Sequence, residues 1–136
     1  MATSSAERIA ALGYEVVLVE RDGGWVAEAR FGSPGHAVGP RVQGATGEAA
    51  TAGLADWLEW HRDHAATLEA LQAAEGAYDR LTAERTFGLV ETDEARRARR
   101  EALARLEALG RHLAEVRHRQ PRVMAAGTEE EDACRS

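Results

Sequence analysis

Two periodicities divide this chain. In residues 25–31 apolar side chains recur every second position, and from residue 47 onward they recur every three or four. The first spacing places one face of a strand in a core, and the second places one stripe of a helix there. Residues 14–20, Tyr-Glu-Val-Val-Leu-Val-Glu, read as a strand apolar on both faces. Arg21-Asp22-Gly23-Gly24 reads as a tight turn, because glycine takes positive φ at little steric cost. Residues 25–31 alternate, with Trp25, Ala27, Ala29 and Phe31 on one face and Val26, Glu28 and Arg30 on the other. Residues 36–43 form a third strand. Pro40 has no N–H to give a sheet ladder, so this strand is expected to be short, bulged or at an edge.

The long 3.6-residue pattern begins after Thr46, which is placed to cap it, with Glu48 at the positive helix end. It runs over residues 47–86 and carries Leu54, Trp57, Leu58, His61, Leu68, Leu71, Tyr78 and Leu81 toward one side. Leu54, Trp57, Leu58 and His61 are expected to cover Trp25 and Phe31. A helix of this size is about 60 Å long, whereas a strand of six residues spans about 20 Å. Its distal half therefore needs a different partner. Phe87-Gly88 marks a turn, and Thr92 caps a second helix that ends near Pro121. Along it Ala95, Ala102, Leu106, Leu109, Leu113 and Val116 form a heptad seam, with Arg99 in the same register. A shorter helix is expected at residues 5–12, because Ser4 and Glu7 form a capping box and Gly13 follows.

The predicted class is α+β: a small three-stranded antiparallel sheet covered by a long helix that continues into an antiparallel, coiled-coil-like helical hairpin. The predicted divisions are a β-β-β-α head at 1–64, the hairpin at 65–122 and a disordered acidic tail at 123–136. Charge sharpens this picture. Residues 47–86 carry eight acids against three arginines, and residues 92–122 carry nine arginines against five acids. Opposite charge favours their pairing, although an exposed ion pair contributes only about 0–1 kcal/mol. Two helices bury little by themselves, so a homodimer closing a four-helix bundle is expected. Its partner-binding positions are Trp60, Leu68, Leu71, Tyr78, Leu106, Leu109 and Leu113.

The turn chemistry of residues 14–58 resembles the N-terminal part of HicB-like antitoxins. The residues concerned are Tyr14, Asp22-Gly23-Gly24-Trp25, Pro34-Gly35, Gly44-Ala45-Thr46, Glu48-Ala49 and Trp57-Leu58. The resemblance implies a dimeric β-β-β-α head, with masking of a small RNA-cleaving toxin. Extra residues lie between Pro34-Gly35 and Gly44, and that family's fourth strand and DNA-binding part have no counterpart in the pattern.

The remaining chemistry is sparse. His61 and His64 are three apart on a helix and are weak metal candidates, since zinc needs a third or fourth ligand. The single cysteine, Cys134, excludes an intramolecular disulfide. Arg96, Arg97, Arg99 and Arg100 are the candidate phosphate contacts of a nucleic-acid-binding alternative. No aromatic residue interleaves with them to stack on bases, so this alternative is the less favoured. All 17 basic residues are arginine, a bias that a GC-rich genome accounts for. There is no phosphate loop and no nucleophile elbow. The expected protein is non-catalytic, without a cofactor, and cytoplasmic. No stretch is long and apolar enough for a membrane. A protein partner is expected; its pathway is not written in these residues.

Overall fold

The computed structural model describes residues 4–86 and 92–123. The element order is α1 (Ser5–Ala11), β1 (Glu15–Arg21), β2 (Gly24–Phe31), β3 (His36–Gly44), α2 (Gly47–Thr86) and α3 (Asp93–His118). The protein is α+β, with three helices and one antiparallel sheet in the order β1-β2-β3. It divides into two compact units, Met1–Trp60 with Pro121–Ser136, and His61–Gln120. The boundary falls inside α2. The expected turn at residues 87–91 and most of the expected tail lie outside the described residues.

In the first unit, local chemistry sets the ends of α1. The Ser4 hydroxyl accepts from the Glu7 N–H at 3.2 Å, and the Glu7 carboxylate accepts from the Ser4 N–H at 3.3 Å. Asp22 and Gly23 have φ of 50° and 81°, the two-residue turn whose twist matches paired strands. It closes a register in which Leu18 faces Ala27 and Val16 faces Ala29. β3 is bulged. Ala27 pairs with Val42 and Ala29 with Val38, so Gly39-Pro40-Arg41 stand opposite the single residue Glu28. A bulge at an edge is where a missing N–H costs least.

The core of this unit comprises Ile9, Ala27, Ala29, Val42, Ala50, Leu54, Ala55 and Leu58. Tyr14, Trp25, Trp57 and Val123 pack around it. Burying a leucine such as Leu54 contributes about 1.5–3 kcal/mol. Val123 shows that the chain returns to this unit after α3. α2 begins where Thr46 caps it: the Thr46 Oγ1 accepts from the Ala49 N–H at 3.0 Å. Its first turns lie close to β3. A Cβ on Gly44 would stand 2.5 Å from the Ala50 nitrogen, and one on Gly53 would stand 3.0 Å from Val42 Cγ1.

Two expected core positions are corrected. Phe31 is 59% exposed; it ends β2 and meets Tyr14 edge-on, with centroids 6.0 Å apart. Its place at the strand terminus puts it outside the surface that the helix covers. His61 is exposed as well. Conversely Val26, on the face opposite Ala27, is only 5% exposed between its cross-strand partners Val19 and Gln43.

In the second unit, α2 passes Gly76 without a break, and α3 is capped by Thr92, whose Oγ1 accepts from the Ala95 N–H at 3.0 Å. Among the described residues no helix is long and apolar enough to cross a membrane.

Two glycine substitutions should act in opposite directions. Gly39 has φ +74°, and a Cβ there would lie 2.9 Å from Trp57 Cζ3. Gly39→Ala is expected to destabilise by about 2 kcal/mol or more, since a left-handed L-residue alone costs about 1–2 kcal/mol. Gly76 is helical with nothing within 4 Å. Gly76→Ala should stabilise by up to about 1 kcal/mol. Urea unfolding monitored by circular dichroism measures both.

Candidate functional site

The hairpin seam is the candidate site, and its register follows from one polar contact and the burial pattern. Arg117 Nε donates to His64 Nε2 at 3.3 Å, which ties the start of the α2 segment to the end of α3. On α2 the inward positions are His64, Thr67, Leu71, Ala74, Tyr78 and Leu81, spaced by three and four. On α3 they are Arg99, Ala102, Leu106, Leu109, Leu113 and Val116, with the same spacing. With His64 in the layer of Val116 and Arg117, the antiparallel count sets Thr67 against Leu113, Leu71 against Leu109, Ala74 against Leu106, and Tyr78 against Ala102. In three of these four layers a small residue stands opposite a larger one, and Leu71 with Leu109 is the exception. Thr67 tolerates burial because its hydroxyl donates to the Asp63 carbonyl at 2.8 Å.

Of the positions predicted to bind a partner, Leu68, Leu71, Tyr78, Leu106 and Leu109 are half-buried. Leu113 is 6% exposed and enclosed on the seam. Leu103, off the heptad, is 39% exposed. Thr67 and Ala74 are buried without having been marked by their residue type. The heptad count from Leu71 and Tyr78 was the signal that could have found them.

Trp60 belongs to the first unit. Trp57 and Trp60 are both half-buried, and their rings stand 6.0 Å apart at 58°. Neither is a lone exposed anchor, because the breadth of an indole spans the roughly 60° between helix positions three apart.

The metal candidates His61 and His64 are not joined by further ligands: among the described residues no three His, Cys, Asp or Glu side chains are arranged to hold a metal ion. Cys134 lies outside the described residues. Arg96, Arg97 and Arg100 are exposed, and Arg99 sits half-buried on the seam. At 100° per residue these four spread over about 160° of the helix, so they form no single stripe. Arg96 lies 3.5 Å from Asp93, one turn earlier.

One polar cluster has no counterpart in the sequence reading. Arg8 on α1 donates from Nε to Glu59 Oε1 at 2.9 Å and from Nη2 to Asp56 Oδ1 at 2.7 Å, with a further short contact to Glu59. Hydrogen bonds to Glu59 first and Asp56 second raise the Arg8 pKa above its ordinary value. The three side chains are partly solvated, so the clamp is an anchor of α1 on α2 rather than a buried ion site.

No protein-family model, curated protein or solved structure matches the chain.

Two substitutions test these assignments. Leu113→Ala should cost about 2–4 kcal/mol by leaving a cavity in the seam. Arg8→Ala should cost about 1 kcal/mol, and a cycle with Glu59→Gln should assign most of it to their coupling. Thermal unfolding followed at 222 nm reads both.

Proposed function

We propose that this protein is a non-catalytic interaction module that works as a homodimer, with the helical hairpin as its assembly surface. The observation that carries this reading is a seam left half-covered. Leu71, Tyr78, Leu106 and Leu109 keep part of their surface open to solvent, and Leu68 and Leu103 flank them on the outside. A second hairpin laid antiparallel on the first would cover these residues as a four-helix bundle.

Charge favours a second copy as the occupant. The α2 portion from His61 carries three arginines and five acids, and α3 carries seven arginines and five acids. Each acidic helix of one copy would then lie beside the basic helix of the other. The gain per exposed pair is small, so charge selects the arrangement while apolar burial holds it.

Sedimentation equilibrium at micromolar concentration tests the assembly. The native chain should exceed monomer mass. Leu68→Glu combined with Leu103→Glu should weaken association about tenfold or more while leaving helicity intact, because both side chains lie off the buried line. A native chain that remains a folded monomer would overturn the proposal.

A further inference from the structure

The sheet has two outer edges, and they are built in opposite ways. β3 is blunted by Pro40, by the bulge at Gly39-Pro40-Arg41 and by polar side chains at Arg41 and Gln43. Such devices prevent another strand from adding to an edge. β1 lacks the proline and the bulge, and its charged residues, Glu15, Glu20 and Arg21, stand only at its two ends. It runs seven residues without a bulge or proline, and among the described residues no strand pairs with its outer side. Leu18 and Val19 point to opposite faces and are 41% and 51% exposed. A regular, apolar, unpaired edge is a template for strand addition.

We infer that β1 pairs antiparallel with β1 of a second copy, joining two three-stranded sheets into one of six strands. Sequence and turn geometry select the register. The two-residue turn at Asp22-Gly23 makes Arg21 and Gly24 a hydrogen-bonded pair, and such pairs then alternate along the ladder. Val16, Leu18 and Glu20 therefore direct their N–H and C=O groups outward, away from β2. A second β1 must set its own Val16, Leu18 and Glu20 against them. Centring the twofold axis on Leu18 does this. It places Leu18 opposite Leu18 of the second copy, Val17 opposite Val19, and Glu15 opposite Arg21.

The two ends of the strand thus carry opposite charges where the partner requires them. A shift by two residues in either direction loses both ion pairs. The Val17–Val19 pairs continue the apolar patch around Val26. On the helix-bearing face, an open cleft of about 840 Å³ lined by Ser5, Ala6, Leu18 and Gly47 leaves room for the second Leu18. The occupant is the same as in the hairpin reading, but the residues are different, so either interface stands without the other. Two twofold interfaces on separate units would give assemblies larger than a dimer.

The experiment is cysteine cross-linking in the full chain with Cys134→Ser. In this register the two Leu18 Cα atoms lie about 5.5 Å apart, within disulfide range. Leu18→Cys should cross-link under mild oxidation at least tenfold faster than Gln43→Cys on the blunted edge. A charge exchange supplies the second arm. Glu15→Arg and Arg21→Glu should each lower the cross-linking rate of Leu18→Cys about tenfold, and the two together should restore it to within threefold. Adding Leu68→Glu and Leu103→Glu should leave the cross-link in place, which separates failure of the hairpin interface from failure of this one. Equal rates at positions 18 and 43 would overturn the pairing. Charge-exchanged chains that stay as slow as the single variants would overturn the register.

Discussion

The head of this protein depends on how closely one helix can lie on one strand. α2 approaches β3 where glycines remove the side chains that would hold it off. A Cβ at Gly44 would meet the backbone of Ala50, and one at Gly53 would meet Val42. At Gly39 the ring of Trp57 occupies the space instead. These contacts let Ala50, Leu54 and Leu58 reach Ala27, Ala29 and Val42, side chains too short to bridge a wider gap. The paucity of aromatic residues, 5% of the chain, follows the same logic: a core of alanine, valine and leucine needs close backbones to exclude water.

The same helix serves a second core under a different rule. Before Trp60 its inward residues answer to a sheet, and after His61 they answer to another helix. The heptad through His64, Thr67, Leu71, Ala74, Tyr78 and Leu81 is narrow, as suits a two-helix contact. A narrow seam closes well only where both residues of a layer are enclosed. Leu113 and Val116 reach that state near the Arg117–His64 bond, whereas the layers of Leu106 and Leu109 remain partly open. Each unit therefore offers an apolar surface of its own, one along a strand edge and one along a helical seam.

Much of the fold was legible in the residues. The Ser4–Glu7 box, the Asp22-Gly23 turn, the Thr46 and Thr92 caps and the Pro40 edge signal all act within a few positions of themselves. Their chemistry is therefore complete in the sequence. The alternation of β2 and the three-four spacing of α3 belong to the same class, since a face is defined by spacing alone. The site was legible only in part. Leu71, Tyr78, Leu106 and Leu109 lie on the seam as spacing implied, but Leu113 is fully enclosed and His61 faces solvent. The clamp of Arg8 with Asp56 and Glu59 joins residues about fifty positions apart, and no local pattern announces it.

What the sequence by itself determined is where each element starts, stops and turns, and which stripe of it is apolar. Capping, turn geometry and periodicity are short-range and need no neighbour to be decided. Only the tertiary structure decided which apolar residues are enclosed. Phe31 is left in water because it ends its strand outside the covered surface, while Val26 is sheltered on the face opposite the helix. Thr67 and Ala74 are buried although neither is large or strongly apolar. Burial is a property of what comes to lie across a gap, and that is set by the register between elements.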